Sequence, residues 1–170
     1  MSNKYESAEL ILKLYELRRE EVMRKARDWF GPFLPNSAQD VTDAFMGEHS
    51  NYIRMVTTYW DMAASFVNHG AIDEQMFTDA NGEHIAVFAK LEPFLAELRT
   101  IYDAPEYLKN LEQLVMRQPN AKARLAQVRE RVKQYMDAMQ KAKASQGKSK
   151  ATSKAKSKAK SKSPAKKRAK

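Results

Sequence analysis

Three histidines and four carboxylates are the side chains of this sequence best suited to metal binding or acid–base chemistry. His49, His69 and His84 are twenty and fifteen residues apart, whereas two metal-binding histidines on one helix face are usually four residues apart. The four carboxylates are Asp61, Asp73, Asp79 and Glu83. No motif fixes the separation of any two of them as an acid and a base. The sequence therefore predicts no catalytic residue, no metal ligand and no cofactor.

Aromatic residues close to these carboxylates suggest a second kind of site. Tyr52, Tyr59 and Phe66 are seven residues apart, on one face of a helix, and Trp60 lies beside them. Such a set could line a ligand pocket or stack on bases, but helical spacing is more typical of a packed core. We therefore expect core packing. An enzyme or ligand-binding protein with a pocket near Trp60 and Asp61 is the least supported hypothesis.

The C-terminal segment carries the clearest binding chemistry. Residues 141–170 hold 13 of the 30 lysines and arginines and none of the 21 acidic residues, which leaves 17 basic against 21 acidic residues in positions 1–140. Such unopposed charge displaces counterions from a nucleic-acid backbone, with an affinity that depends on salt and not on base sequence. The predicted DNA or RNA contacts are Lys148, Lys150, Lys154, Lys156, Lys158, Lys160, Lys162, Lys166, Lys167, Arg168 and Lys170.

The composition of this tail limits what it can recognise. It has no aromatic side chain to stack on bases, and its lysines lack the planar fork that reads guanine. Binding to anionic lipid would be weak without an apolar or lipidated anchor. Because it has no large apolar residue to bury and its charges repel, the tail is predicted to be disordered when unbound. A tail that serves only solubility stays open as an alternative.

The composition of the whole chain indicates one all-α domain followed by the tail. An apolar content of 43% is enough for a core, and only five glycines and six prolines favour helices over a sheet protein rich in turns. The absence of cysteine fits a reducing compartment, and no segment approaches the ~20 apolar residues of a membrane span. We therefore expect a cytoplasmic protein, with the nucleoid as one location there.

The first third of the chain predicts two long helices. The first is expected to begin after Ser7 as its cap and to continue to Phe30, where the sequence GPFLPN interrupts it. Its arginines could form a phosphate-binding stripe, but acidic neighbours at helical spacing indicate a solvated face instead. These arginines are Arg18, Arg19, Arg24 and Arg27. The second helix is expected to start at Ser37 or Asp40, with Gly47 as a weak point that could divide it.

Residues 55–82 form the predicted elbow of the domain. Gly70 is expected to end the long helix in a left-handed conformation, and Asp73 to cap the next one. Asn81 and Gly82 favour another left-handed turn. Further on, Pro93 should kink or split a helix.

The remaining sequence predicts two more helices, one from Pro105 and a last one from Pro119 and Asn120. The apolar residues of the last helix alternate four and three apart, which is heptad-like spacing. They are Leu125, Val128, Val132, Tyr135 and Met139. This seam could dock on the domain or pair with another chain as a protein partner or homodimer, and docking is favoured.

Two resemblances add to these predictions. KLYELRREEVMRKARDWF, RMVTTYWDMAASFVNHGAIDEQMFTDANGEH and PEYLKNLEQLV, within residues 10–115, resemble the domain of unknown function 4760 group of small, uncharacterised, helical bacterial proteins. That resemblance implies a helical fold and a bacterial origin, but no activity or site. The tail sequence KSKAKSKSPAKKRAK is similar to lysine- and alanine-rich tails of linker histones and histone-like proteins, which implies polyanion binding.

The sequence thus predicts a helical domain of five to seven helices over residues 7–140 and a disordered basic tail over residues 141–170. The expected function is that of a non-enzymatic interaction protein whose tail binds the nucleic-acid backbone non-specifically. The alternative is a helical protein-binding or dimerisation module that the tail merely solubilises.

Overall fold

The structure is a computed structural model that describes the backbone of residues 3–160 and the side chains of residues 3–139, 141 and 142. Over that range the secondary structure is helical without any strand, which confirms the all-α class. The helices are α1 (Lys4–Arg19), α2 (Glu21–Phe30), α3 (Ala38–Met46), α4 (Ser50–Asn68), α5 (Glu74–Ala80), α6 (Glu83–Leu91), a 3-10 turn (Glu92–Phe94), α7 (Leu95–Ile101), α8 (Lys109–Met116) and α9 (Ala121–Lys160).

Helix α4 is the centre of the domain, because it packs against α2, α3, α6 and α8. Its sequence is apolar on several faces, and Ala63 and Ala64 are small enough to let neighbouring helices approach closely. Trp60 is fully buried at its middle. The predicted aromatic core is therefore confirmed for Trp60 and Tyr59, whereas Phe66 is 37% exposed.

The expected first helix is in fact two helices that meet at Glu20. The backbone of Glu20 is extended (φ −56°, ψ 140°), and its carboxylate accepts a hydrogen bond from the amide of Met23, 2.8 Å away. Glu20 thereby caps α2. No glycine or proline marks the break, so the apolar spacing alone predicted an uninterrupted helix.

The predicted cap at Ser7 is wrong. Asn3 caps α1 and forms a capping box with Glu6. Ser7 lies one turn inside the helix, fully buried, where its hydroxyl oxygen accepts a hydrogen bond from the Asp73 amide at 3.0 Å. The serine thus ties the first helix to the elbow.

Several predicted breaks are confirmed. Ser37 caps α3, and the chain divides at Gly47 before α4 begins. Gly70 has φ +73°, a conformation that glycine adopts without strain. Asp73 caps α5 by accepting a hydrogen bond from the Met76 amide at 2.8 Å. Pro93 lies in the 3-10 turn that separates α6 from α7.

Two other predictions about turns are wrong. Asn81 and Gly82 have φ values of −136° and −106°, so neither is left-handed. The segment from Pro105 to Leu108 forms turns, and α8 begins only at Lys109 after Leu108 adopts φ +54°. Side chains from other helices bind both segments: Arg18 donates a hydrogen bond to Asn81, and Arg99 donates to the Tyr107 carbonyl oxygen.

The described chain divides into two compact units, Met1–Val132 and Lys133–Lys170. The first unit contains the hydrophobic core and the start of α9. In the second unit, the backbone up to Lys160 is assigned to α9. Residues 161–170, and the side chains of residues 143–160, lie outside the described range. The prediction that residues 141–170 are disordered when unbound stays a prediction.

Candidate nucleic-acid interface

The predicted contact residues of the tail divide into two groups. Six of them belong to the helical backbone of α9, although their side chains lie outside the described residues: Lys148, Lys150, Lys154, Lys156, Lys158 and Lys160. The other five lie wholly outside: Lys162, Lys166, Lys167, Arg168 and Lys170. The geometry that follows therefore concerns the first unit, Met1–Val132.

The densest polar cluster of this unit joins three helices beside Trp60. Nη2 of Arg18, at the end of α1, and Nη2 of Arg27, in α2, each lie 2.6 Å from Oε2 of Glu83. Arg27 Nε adds a 2.8 Å hydrogen bond to Oε1 of Glu83, and the Arg18 guanidinium lies 5.2 Å from the centre of the Trp60 ring. The break at Glu20 places these two arginines on successive helices. Arg18 and Arg27 are therefore not part of the predicted solvated face.

The electrostatics of this cluster keep Glu83 ionised. Burial alone would raise the pKa of Glu83, but hydrogen bonds and charge from Arg27, together with those from Arg18, lower its pKa below the usual value. Two positive groups share one negative group, which favours the ionised carboxylate. The arrangement is that of a structural ion cluster.

The other three candidate carboxylates are also held by the fold. Asp61 accepts a hydrogen bond from the Leu111 amide at 2.9 Å and another from the Asn110 side chain at 3.1 Å, so it caps α8. Asp73 caps α5, and Asp79 accepts a hydrogen bond from Gln75 at 2.8 Å. No two of these carboxylates face a common cavity in the described cavities of the domain.

The histidines lie in separate surroundings. His49 stacks on Tyr52 with ring centres 5.6 Å apart, and Nδ1 of His69 lies 2.8 Å from the Ser65 carbonyl oxygen at the end of α4. His84 is buried between Trp60 and Phe77. Burial, with a smaller effect of the positive Arg124, lowers the pKa of His84 to about 4. In the part of the chain that the structure describes, no group of three or more histidines and carboxylates could hold a metal ion.

Lys90 is a further cation bound within the domain. Its Nζ donates to the carbonyl oxygens of Phe30 and Gly31 at 2.8 and 2.7 Å. These carbonyls close the C-terminal end of α2, where a positive charge is favoured. Burial lowers the pKa of Lys90 to about 8.

The heptad-like seam of α9 serves the core at its start. Leu125 is fully buried, and Val128 packs against the core. The favoured docking of the seam is thereby confirmed for these two residues, and Leu125 is not available to a partner chain. Tyr135 and Met139, which belong to the second unit, are 62% and 40% exposed.

A groove between α6 and the first turns of α9 is the largest of the described cavities, at about 810 Å³. We call it the α6–α9 groove. Its walls are formed by Gly82, Ile85, Ala86, Pro119, Asn120, Ala123, Arg124, Gln127, Val128, Arg131 and Val132. Arg129 ties α9 to the far end of α6, because its Nη1 lies 3.2 Å from the Ala89 carbonyl oxygen and 2.9 Å from Oε2 of Glu92.

The groove is positively charged. Arg124 and Arg131 are exposed, and no acidic residue lines its walls. Neither guanidinium is hydrogen bonded or ion paired to a side chain within the described residues. Arg117, which precedes this segment, and Arg129, which lies between Arg124 and Arg131 in sequence, are instead paired with Glu74 and Glu92.

The sequence-based search for sites did not include Arg124 or Arg131. A usable signal was present, because residues 113–129 contain no acidic residue and four basic ones. Arg124 and Arg131 are also seven residues apart, which places them on one helix face. The net charge of −4 over residues 1–140 concealed this local excess.

Comparison with known proteins identifies a family. The family model named domain of unknown function (DUF4760) matches residues 5–118, so the chain belongs to this family. Neither a curated protein nor a solved structure matches the chain. The matched region ends before α9, so the α6–α9 groove lies between the family domain and a helix beyond it.

Within residues 3–160, no helix combines the length and apolar character that are needed to cross a membrane.

Proposed function

We propose that this protein is a non-enzymatic interaction protein that binds the phosphate backbone of DNA or RNA, without base specificity, through its C-terminal tail. The observation that carries the proposal is the segregation of charge: 13 basic and no acidic residues over residues 141–170, against 17 basic and 21 acidic before them. A polycation of this density gains free energy by releasing the counterions of a polyanion. The proposed location is the cytoplasm of a bacterium, at the nucleoid where DNA is the partner.

The proposal fits the chemistry of the domain. In the first unit, Asp61 and Asp73 cap helices, Asp79 accepts a hydrogen bond from Gln75, and Glu83 binds two arginines, so these carboxylates are not arranged as an acid and a base. Trp60 is fully buried by its neighbours and lines none of the described cavities. These contacts support a binding role for the chain over catalysis at the elbow.

Deletion of residues 141–170 tests the proposal. The full chain should be retained on immobilised duplex DNA at low salt, and the truncated chain should pass through, because it has lost all 13 charges of the tail. A matched variant in which the six serines of the tail become glycine keeps every charge and should be retained like the wild type. Undiminished retention of the truncated chain would refute the proposal.

The exposed residues of α9 favour a second candidate, a homodimer that pairs through Tyr135 and Met139. These two side chains continue the heptad-like spacing beyond the buried Leu125, and both are largely accessible. Sedimentation of the full chain should then show a dimer that the double substitution Tyr135→Ser, Met139→Ser converts to a monomer. A wild-type monomer at high protein concentration would exclude this candidate.

A further inference from the structure

The α6–α9 groove has the properties of a binding site for an extended anion. It combines two exposed guanidinium groups with walls that contribute no acidic side chain. The opposite wall is formed by Gly82, Ile85 and Ala86, none of which carries a charged or polar side chain. Arginine is well suited to such a role, because its planar group donates two parallel hydrogen bonds to one phosphate.

The size of the groove indicates an extended ligand. Arg124 and Arg131 are two helical turns apart, so their Cα atoms are separated by roughly 10 Å along α9. A groove of about 810 Å³ is also far larger than one phosphate group. Successive phosphates along a nucleic-acid strand match this arrangement better than a single phosphate ion does.

We infer that the α6–α9 groove is a second phosphate-backbone contact, in which Arg124 and Arg131 bind the same nucleic acid as the tail. This inference rests on the proposed function of the tail. Only eight residues lie between Val132, at the end of the groove, and Lys141, where the acid-free tail begins. Because both cationic elements belong to one chain, binding of either raises the effective concentration of the other near the same polyanion.

The double substitution Arg124→Gln, Arg131→Gln in the full chain tests the inference. With two phosphate contacts removed, the slope of log affinity against log salt for duplex DNA should become shallower by roughly 1.8. Affinity at about 50 mM salt should fall on the order of tenfold. Both quantities can be measured by fluorescence anisotropy with a labelled short duplex of mixed sequence.

The chain offers a matched control in Arg19→Gln, Arg24→Gln. Both arginines are exposed and lie outside the groove, and this variant has the same net charge as the groove variant. Its salt slope should equal that of the wild type. Equal slopes for the control and the groove variant would overturn the inference, and thermal unfolding of each variant verifies that the domain is folded.

Two further outcomes separate the inference from the proposed function. If the wild type and the groove variant bind duplex DNA equally and only tail deletion removes binding, the groove inference fails and the function of the tail stands. If the wild type binds anionic phospholipid vesicles and not DNA, the groove inference and the proposed function of the tail both fail. The partner would then be a membrane surface. Displacement of the duplex by inorganic phosphate, at a concentration equal to that of the DNA phosphates, would overturn the inference that the ligand is extended.

Discussion

Arg18 and Arg27 meet on one carboxylate at the elbow, whereas Arg124 and Arg131 line a groove whose walls have none. The first pair is largely buried, and a buried charge is tolerated only when a partner compensates for lost hydration. The second pair is exposed, and within the described residues neither guanidinium is paired with a side chain. Identical side chains thus stabilise the fold in one region and remain available to a ligand in the other.

The largest effect on stability is expected from Glu83→Gln, which removes the negative charge shared by Arg18 and Arg27. Two guanidinium groups would then face each other in a partly desolvated site. We expect the free energy of unfolding to fall by about 3 kcal/mol. Urea unfolding monitored by circular dichroism measures the change.

The matched control for this substitution is Glu21→Gln. Glu21 also pairs with a cation, Lys25 at 2.7 Å, but its side chain is 70% exposed. An exposed pair contributes little, so the stability should change by less than about 0.5 kcal/mol. Equal effects of the two substitutions would show that the elbow cluster is no more than a surface ion pair.

The next largest effect is expected from His84, which lies between the two regions. Its pKa in the folded protein is about 4, against 6.5 as its ordinary value, so the unfolded chain binds a proton more readily. The contribution of neutral His84 to the free energy of unfolding is complete above pH 6.5 and is lost as the pH falls towards 4. The loss amounts to roughly 3 kcal/mol at most. His84→Gln should flatten the dependence of the unfolding free energy on pH between 6.5 and 4.5.

Substitutions of the two groove arginines provide a control for the titration of His84 between pH 6.5 and 4.5. Glu83 contributes little to the pH dependence in this range, because its pKa is lowered below its ordinary value of 4.5. The positive charge of Arg124 lowers the pKa of His84, so Arg124→Gln should raise that pKa, as read from the His84 ring signals by NMR titration. Arg131→Gln provides the comparison. A pH dependence that is unaltered in His84→Gln would contradict the assignment to this residue.

The features that the sequence predicted correctly are local ones. Gly70 and Asp73 are a helix stop and a cap whose chemistry is complete within a few residues, and Pro93 interrupts a helix through its own ring. Trp60 was predicted to be in the core because apolar spacing identifies the buried face of a long helix.

The features that the sequence did not predict depend on residues far apart in the chain. The break at Glu20 is accompanied by Arg18 and Arg27 binding Glu83, at separations of 65 and 56 residues. The Asn81 turn, predicted to be left-handed, has its side chain bound by Arg18 at 3.2 Å. The α6–α9 groove exists only once α9 has packed on α6, so the spacing of Arg124 and Arg131 could mark a shared helix face but not the wall opposite them.

The cap that Asp61 supplies to α8 also makes this helix dependent on α4. At eight residues, α8 is too short to be stable alone, and the left-handed Leu108 provides no side-chain cap at its start. The missing acceptor comes from α4, fifty residues earlier in the chain. The short helix α8 therefore depends for its stability on docking against α4, which supplies the capping acceptor.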